Sequence, residues 1–118
     1  MEECIFCKIV EGEMAADIVH EDDKILAFKD INPEAPVHIL VIPRVHLSGL
    51  KDMNNEHQEL IGHMFGVIKE LAREYNVEES GYRVVLNCGP DAGQIIYHLH
   101  FHIIGGKPLG PGLANKKA

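Results

Sequence analysis

A chain of 118 residues with 46% apolar content is long enough for one domain whose core needs no disulfide staples. Eleven basic against 18 acidic residues leave a net charge of −7 and no basic stripe, which speaks against nucleic acid as a partner. No window approaches the roughly 18 apolar residues of a membrane-spanning helix. The start Met1-Glu2-Glu3 lacks the basic and apolar regions of a signal peptide. The expectation is a soluble cytoplasmic protein without membrane contact, whose three cysteines form no disulfide framework.

In chain order, Ile5-Phe6-Cys7-Lys8-Ile9-Val10 predicts a short helix closed by Gly12. Strands over 18–21 and 24–29 follow, with Asp22-Asp23 at the turn of a hairpin. The stretch 30–36 carries Pro33 and Pro36 and reads as a loop, after which the aliphatic run 37–42 predicts a buried strand stopped by Pro43.

Between Asn54 and Asn76 the residues Leu60, Ile61, Met64, Val67, Ile68, Leu71, Ala72 and Tyr75 recur at helical spacing. They predict the one long helix, capped by Asn54 or by Asn55 with Gln58 three residues on, and stopped at Asn76. Strands over 82–86 and 98–104 complete the pattern, separated by the glycine-bearing loop 87–94 and ended by Gly105-Gly106. The tail from Lys107 has no periodicity and predicts an irregular segment or a partner-contacting arm.

The run His98-Leu99-His100-Phe101-His102 is where the chemistry concentrates. On an extended strand its three imidazoles share one face about 6.7 Å apart, leaving Leu99, Phe101 and Ile103 to pack on the long helix. Imidazole serves nucleophilic and acid–base work near neutral pH, and a phosphoryl centre is a suitable target. By spacing alone the same pattern also fits a metal site or a solvated strand face. Cys4-Ile5-Phe6-Cys7 has the spacing that lets two thiolates reach one ion, but also fits a redox dithiol or two unlinked buried cysteines. Cys88 reads as a small buried hydrophobe, and His20, His57 and His63 as ordinary surface or helix residues.

The stretch from Gly93-Gln94 through His98-Leu99-His100-Phe101-His102 to Gly105-Gly106 resembles the signature of the histidine triad family, in its Hint-like branch. The blocks Ile5–Ile9, Leu26–Pro33, Ala35–His38 and Val41–Pro43 are similar to family blocks in the same order, so the resemblance covers roughly residues 4–108. It implies an α+β fold: an antiparallel sheet of about five strands, one long helix and a short N-terminal helix. A single domain over 1–118 is expected, with a core of about 4–108 and an irregular tail, 109–118. Homodimerisation through the long helix and the strand 82–86 would extend the sheet.

The resemblance also implies roles. His100 is the nucleophile toward the α-phosphorus of a purine nucleotide, His102 contacts phosphate and assists the leaving group, and His38 orients and polarises His100. Asp30 binds the ribose hydroxyls, which an ionised carboxylate accepts well. Phe6, Ile9, Phe28 and Ile31 line the base pocket, and Asn87, Gly93 and Gln94 contact phosphate or leaving group. Without the family these apolar residues would be ordinary core and Asp30 a turn residue. Two departures stand out: Ile95 occupies a position where relatives often carry serine, and the tail lacks an aromatic residue that some relatives have.

Some members of this branch join such a cysteine pair to two histidines, which here are His46 and His98; the resemblance implies a structural zinc held by Cys4, Cys7, His46 and His98. The implied activity is hydrolysis of purine nucleoside 5′-phosphoramidates or acyl or aminoacyl nucleotides through a nucleotidyl-histidine, with no metal in the chemical step and no organic cofactor. The competing readings are a dinucleoside polyphosphate hydrolase, a nucleotide-binding regulatory protein with incidental hydrolysis, and a zinc-binding interaction module.

Overall fold

The computed structural model describes residues 4–115. The acidic start at residues 1–3 and the last residues of the tail, 116–118, lie outside them. Helix α1 (Ile5–Val10) leads into strands β1 (Ile18–Glu21), β2 (Ile25–Lys29) and β3 (Val37–Pro43). Helix α2 (Gln58–Glu74) then precedes β4 (Tyr82–Leu86) and β5 (Phe101–Gly105). The five strands form one antiparallel sheet in the order β1-β2-β3-β5-β4, giving the predicted α+β architecture.

Strand periodicity divides the core into two layers. Ile25, Ala27, Ile39 and Val41 join Leu99, Phe101 and Ile103 on one face, against Met64, Val67, Ile68 and Leu71 of α2. Leu26, Phe28, Leu40 and Ile42 point the other way, against Phe6 and Ile9 of α1. Alternate side chains of a strand fall on opposite faces, so each of β2 and β3 supplies both layers. His102 is opposite Leu40 in the β3–β5 register, and His38 is opposite Ile104. The α1 side of the sheet is thus the side on which the histidines of β3 and β5 meet.

Several boundaries differ from the predicted ones, each because a polar group finds a better partner. Strand β5 begins at Phe101 rather than at residue 98, because the Leu99 N–H bonds to the Leu47 carbonyl (2.7 Å) and His98 turns into a side-chain cluster. Strand β2 begins at Ile25, since Asp22 Oδ1 accepts from the N–H groups of both Lys24 and Ile25 (2.8 Å each) and holds Lys24 in the turn.

Asn54 starts the helical segment through a turn of 3₁₀ helix. Its side chain accepts from the Glu56 N–H (3.0 Å), and His57 Nδ1 accepts from the Asn54 N–H (3.1 Å). Of the two predicted caps the structure uses Asn54, with His57 as its partner, rather than Asn55 with Gln58. Asn76, at φ 64°, takes the left-handed conformation that ends α2, as its position predicted.

Two further corrections concern side chains expected to be unpaired or buried. His20 Nε2 and His63 Nε2 both reach Asp22 Oδ2, at 2.6 and 2.9 Å, tying the hairpin turn to α2. Cys88 is exposed in the loop after β4 rather than buried.

Candidate active site

Three histidines gather on the α1 side of the sheet. His100 Nδ1 lies 2.7 Å from the carbonyl of His98, an acceptor, so Nδ1 carries the proton and Nε2 keeps its lone pair. Phe6 meets the His100 ring edge-on, with centroids 5.2 Å apart and planes at 90°, and fixes its orientation from the α1 side. The His100 and His102 rings are 5.1 Å apart.

The protons of the next two rings follow from one backbone group. The Glu34 N–H donates to His38 Nδ1 (3.0 Å), which places the His38 proton on Nε2. That Nε2–H donates to His102 Nδ1 (2.9 Å), which in turn places the His102 proton on Nε2. His102 therefore offers an N–H donor on a ring centred 5.1 Å from that of His100. His38 was expected to orient His100; the structure joins it to His102 instead, and the His98 carbonyl is what orients His100.

Asp30 Oδ2 stands 3.4 Å from His38 Nε2, while its Oδ1 accepts from the Asn32 N–H (2.8 Å). Asp30, His38 and His102 could by distance hold a cation. The His38 tautomer argues otherwise: a ring nitrogen that carries the proton offers no lone pair to a metal. The arrangement suits proton placement, with Asp30 as a carboxylate at its edge.

Burial favours the neutral form of His100 and His102. Burial, followed by the neighbouring His100 and His38, lowers His102 to about 4. Burial also lowers His100, against the opposing pull of its bond to His98 and of Asp30. A neutral imidazole is the form able to act as a nucleophile.

Phe6, Ile9 and Phe28 form a buried apolar wall beside the histidines, with Phe6 and Phe28 in edge contact at 5.4 Å. Ile31 is not part of that wall: it is 90% exposed in the loop between β2 and β3. Gln94 is buried, and its amide is committed to backbone. Its Nε2 donates to the carbonyls of Ser48 (2.8 Å) and Ile96 (3.1 Å), and its Oε1 accepts from the Gly89 N–H (2.9 Å). It braces the loop from Gly89, in which Gly93 takes a left-handed turn at φ 86°. Asn87, half-buried, sits at the start of that loop, and Ile95 is 87% exposed next to Gln94.

A second cluster lies next to the first. Cys4, at the N-cap of α1, accepts from the Cys7 N–H through Sγ (3.2 Å). Cys4 Sγ and Cys7 Sγ stand 3.3 and 3.6 Å from His98 Nδ1, and Cys7 Sγ is 3.3 Å from His46 Nδ1. All four donor atoms lie within 4.8 Å of one another. Metal–sulfur and metal–nitrogen bonds of about 2.3 and 2.05 Å at a tetrahedral angle put S and N about 3.5 Å apart, which matches.

The donor chemistry fits as well. His98 is fully buried and Nε2–H donates to the Pro43 carbonyl (2.8 Å), leaving the Nδ1 lone pair toward the thiols, the arrangement that metal-bound histidines adopt. Burial first, and then Cys4, push the Cys7 thiol up to about 11, so its thiolate form calls for a cation.

A larger depression, about 540 Å³, is lined by Lys24, Arg44, Glu59 and His63 among others and touches none of the clustered histidines. Here donor geometry, not volume, locates the chemistry.

Comparison with known proteins agrees with this geometry. The family described as scavenger mRNA decapping enzyme C-term binding matches residues 3–118. The purine nucleoside phosphoramidase of Escherichia coli (strain K12) is 44% identical over 115 residues, 98% of this chain and 97% of the relative. The 14 kDa zinc-binding protein of Zea mays is 46% identical over 107 residues, 89% of this chain and 83% of the relative. The HIT family hydrolase from Legionella pneumophila Philadelphia 1 superposes with a TM-score of 0.90 at 42% identity, covering 92% of this chain and 96% of that one.

The sheet, the single long helix and the clustered histidines define a histidine triad fold. The chain belongs to the histidine triad (HIT) family of hydrolases.

Proposed function

We propose that this protein hydrolyses purine nucleoside 5′-phosphoramidates, or acyl or aminoacyl nucleotides, at the α-phosphorus through a nucleotidyl-His100 intermediate. The observation that carries the reading is the pairing of tautomers. His100 has its Nδ1–H held by the His98 carbonyl and its Nε2 lone pair free, beside a His102 whose Nε2–H is fixed as a donor by His38. Further support is the relative named purine nucleoside phosphoramidase, similar over nearly the whole of both chains.

In this reaction the His100 Nε2 lone pair forms a bond to phosphorus, and the phosphorus–nitrogen bond of the amidate breaks. The leaving nitrogen departs with the bonding pair and takes a proton from solvent. His102 Nε2–H donates to a phosphate oxygen as charge develops there. Water then attacks phosphorus and gives up a proton to solvent, while the phosphorus–Nε2 bond breaks and returns its electron pair to His100. Asp30 accepts from the ribose hydroxyls, while Phe6, Ile9 and Phe28 back the base and Ile31 covers it from the rim. Asn87 and Gly93 flank the leaving group, and Gln94 supports them by holding their loop.

In the same reading Cys4, Cys7, His46 and His98 hold zinc, supported by the donor chemistry and by the zinc-binding relative. The ion contributes tertiary closure and takes no part in the chemical step.

The chain acts as one HIT domain, cytoplasmic, where its free cysteines remain reduced. Two copies pair through α2 and β4: β4 is a sheet edge, and on the α2 side of it Val84 and the nearby Phe65 are exposed. No helix among the described residues is long and apolar enough to cross a membrane.

Intact-mass spectrometry after brief mixing with adenosine 5′-phosphoramidate tests the mechanism. An adenylyl adduct mapping to His100, absent from His100→Ala, is expected. An adduct on His98 or His102, or turnover by His100→Ala, would sink it.

A further inference from the structure

The hydrogen bonds behind His102 run in one direction and end on a group with no proton to give. His102 Nδ1 accepts from His38 Nε2 (2.9 Å), and His38 Nδ1 accepts from the Glu34 N–H (3.0 Å). For His102 to hand its Nε2 proton to a substrate, its Nδ1 would take the His38 proton, and His38 Nδ1 would need a new one. A peptide N–H donates a hydrogen bond without parting with its proton, and here it occupies the one lone pair through which His38 could be resupplied. The His38 side chain is only 3% exposed, so water has no other way in.

The neighbouring groups offer no substitute. Burial, ahead of the nearby His100 and His38, holds His102 at about 4, so at neutral pH it carries the Nε2 proton alone. Asp30, 3.4 Å from His38 Nε2, is an acceptor whose Oδ1 takes the Asn32 N–H. The Gln94 amide is committed to the carbonyls of Ser48 and Ile96, and Ile95 beside it is a hydrocarbon side chain in solvent.

We infer that this site gives hydrogen bonds to the transferred phosphate but no proton to the leaving group, so that it selects nucleotides whose leaving group departs as a stable anion, with the Glu34 N–H closing the proton route. This rests on the reading of His100 as nucleophile at phosphorus. With an acyl or aminoacyl nucleotide the His100 Nε2 lone pair forms the bond to phosphorus and the phosphorus–oxygen bond to the acyl group breaks. The carboxylate leaves with the bonding pair and needs no proton. With an amidate the pair goes to a basic nitrogen that must collect its proton from water, so turnover falls as the amine becomes more basic.

The test uses the full-length protein and a series of adenosine 5′-phosphoranilidates graded by ring substituent, with adenylylation of His100 timed by rapid quench and intact mass. In wild type the rate constant is expected to rise roughly 100-fold or more from the most to the least basic aniline, a difference of the size that an enzyme-borne acid would level. Glu34→Pro lacks the N–H, opens His38 Nδ1 to a solvent proton and should flatten the dependence. Far-ultraviolet circular dichroism checks its fold, and long-range ¹H–¹⁵N NMR should show His38 losing its fixed Nε2–H form.

A flat dependence in wild type overturns the inference, whatever the variant does. So does a folded Glu34→Pro protein that keeps the wild-type slope. Slowing of the more basic anilides alone in Cys88→Ser or Tyr97→Phe overturns it as well, because a side chain then supplies the proton. If neither an anilide nor an acyl adenylate leaves an adenylyl group on His100, the nucleophile reading falls and takes the inference with it, an outcome distinct from an adduct that forms at a flat rate.

Discussion

His38 Nε2 lies 2.9 Å from His102 Nδ1, a hydrogen bond that spans 64 residues of sequence and joins β3 to β5 on the active face of the sheet. It passes on a tautomer set by the Glu34 N–H, so His38 acts on His102 rather than on His100. Replacing it by His38→Phe leaves His102 free to place its proton on either nitrogen. A loss in kcat of about 100-fold or more, the scale of a misplaced proton donor, is expected. His38→Gln, which keeps an amide N–H, should recover part of it. Steady-state kinetics on an adenylate amidate checks this, and equal losses in the two variants contradict it.

The depressed histidines set the pH behaviour. Burial holds His102 at about 4 and lowers His100 from 6.5, so both stay neutral to lower pH than an ordinary histidine does. The acid limb of kcat/KM is therefore expected below pH 6.5, and a limb centred at 6.5 or above contradicts the site. Stability follows the same sign. In the unfolded chain His102 takes its proton below 6.5, whereas in the fold it does so only near 4, so stability falls as pH drops through that window. Urea midpoints measured at neutral and mildly acid pH report it.

Asp22 fastens the β1–β2 turn to α2 by accepting from His20 and His63 at one oxygen and from two backbone N–H groups at the other. Burial pushes its carboxyl up, but these bonds outweigh burial and hold it below its ordinary 3.8. Its contribution is full well above 3.8 and fades as pH falls past that value. Asp22→Ala should cost about 1–3 kcal/mol in urea unfolding at neutral pH, discounted toward the lower end because the site is partly exposed. A change below about 0.5 kcal/mol would show that the bridge is incidental.

The proposed pairing of two copies makes a separate prediction. Phe65 and Val84 are exposed apolar side chains, with Phe65 packed 5.1 Å from the Phe101 ring. Phe65→Glu with Val84→Glu should convert a dimer to a monomer in analytical ultracentrifugation, since charge in a desolvated interface is costly. A mass unchanged by both substitutions rejects α2 and β4 as the interface.

Local patterns made much of this protein legible. The unbroken aliphatic run over 37–42 marks a buried strand, and helical spacing from Leu60 to Tyr75 settles which face of α2 is apolar before any contact is known, because side-chain direction follows backbone periodicity. The histidine run, Asp30 and the cysteine pair were recognisable as residue types in ordered blocks.

What needed the tertiary structure was the choice of hydrogen-bond partner. The late start of β5, the pairing of His38 with His102, the bond from His100 to the His98 carbonyl and the commitment of Gln94 to Ser48 and Gly89 are each decided by which donor and acceptor come within 3 Å or so. Sequence limits what a group is able to donate or accept, whereas packing of distant segments brings one partner into range and excludes the rest. Ile31 shows the same division: its residue type alone would make it ordinary core, and only the path of the loop after β2 left it in solvent. Three identical histidines in five residues thus acquire different surroundings: His98 faces the cysteines, His100 its own strand's carbonyl and His102 a neighbour on β3.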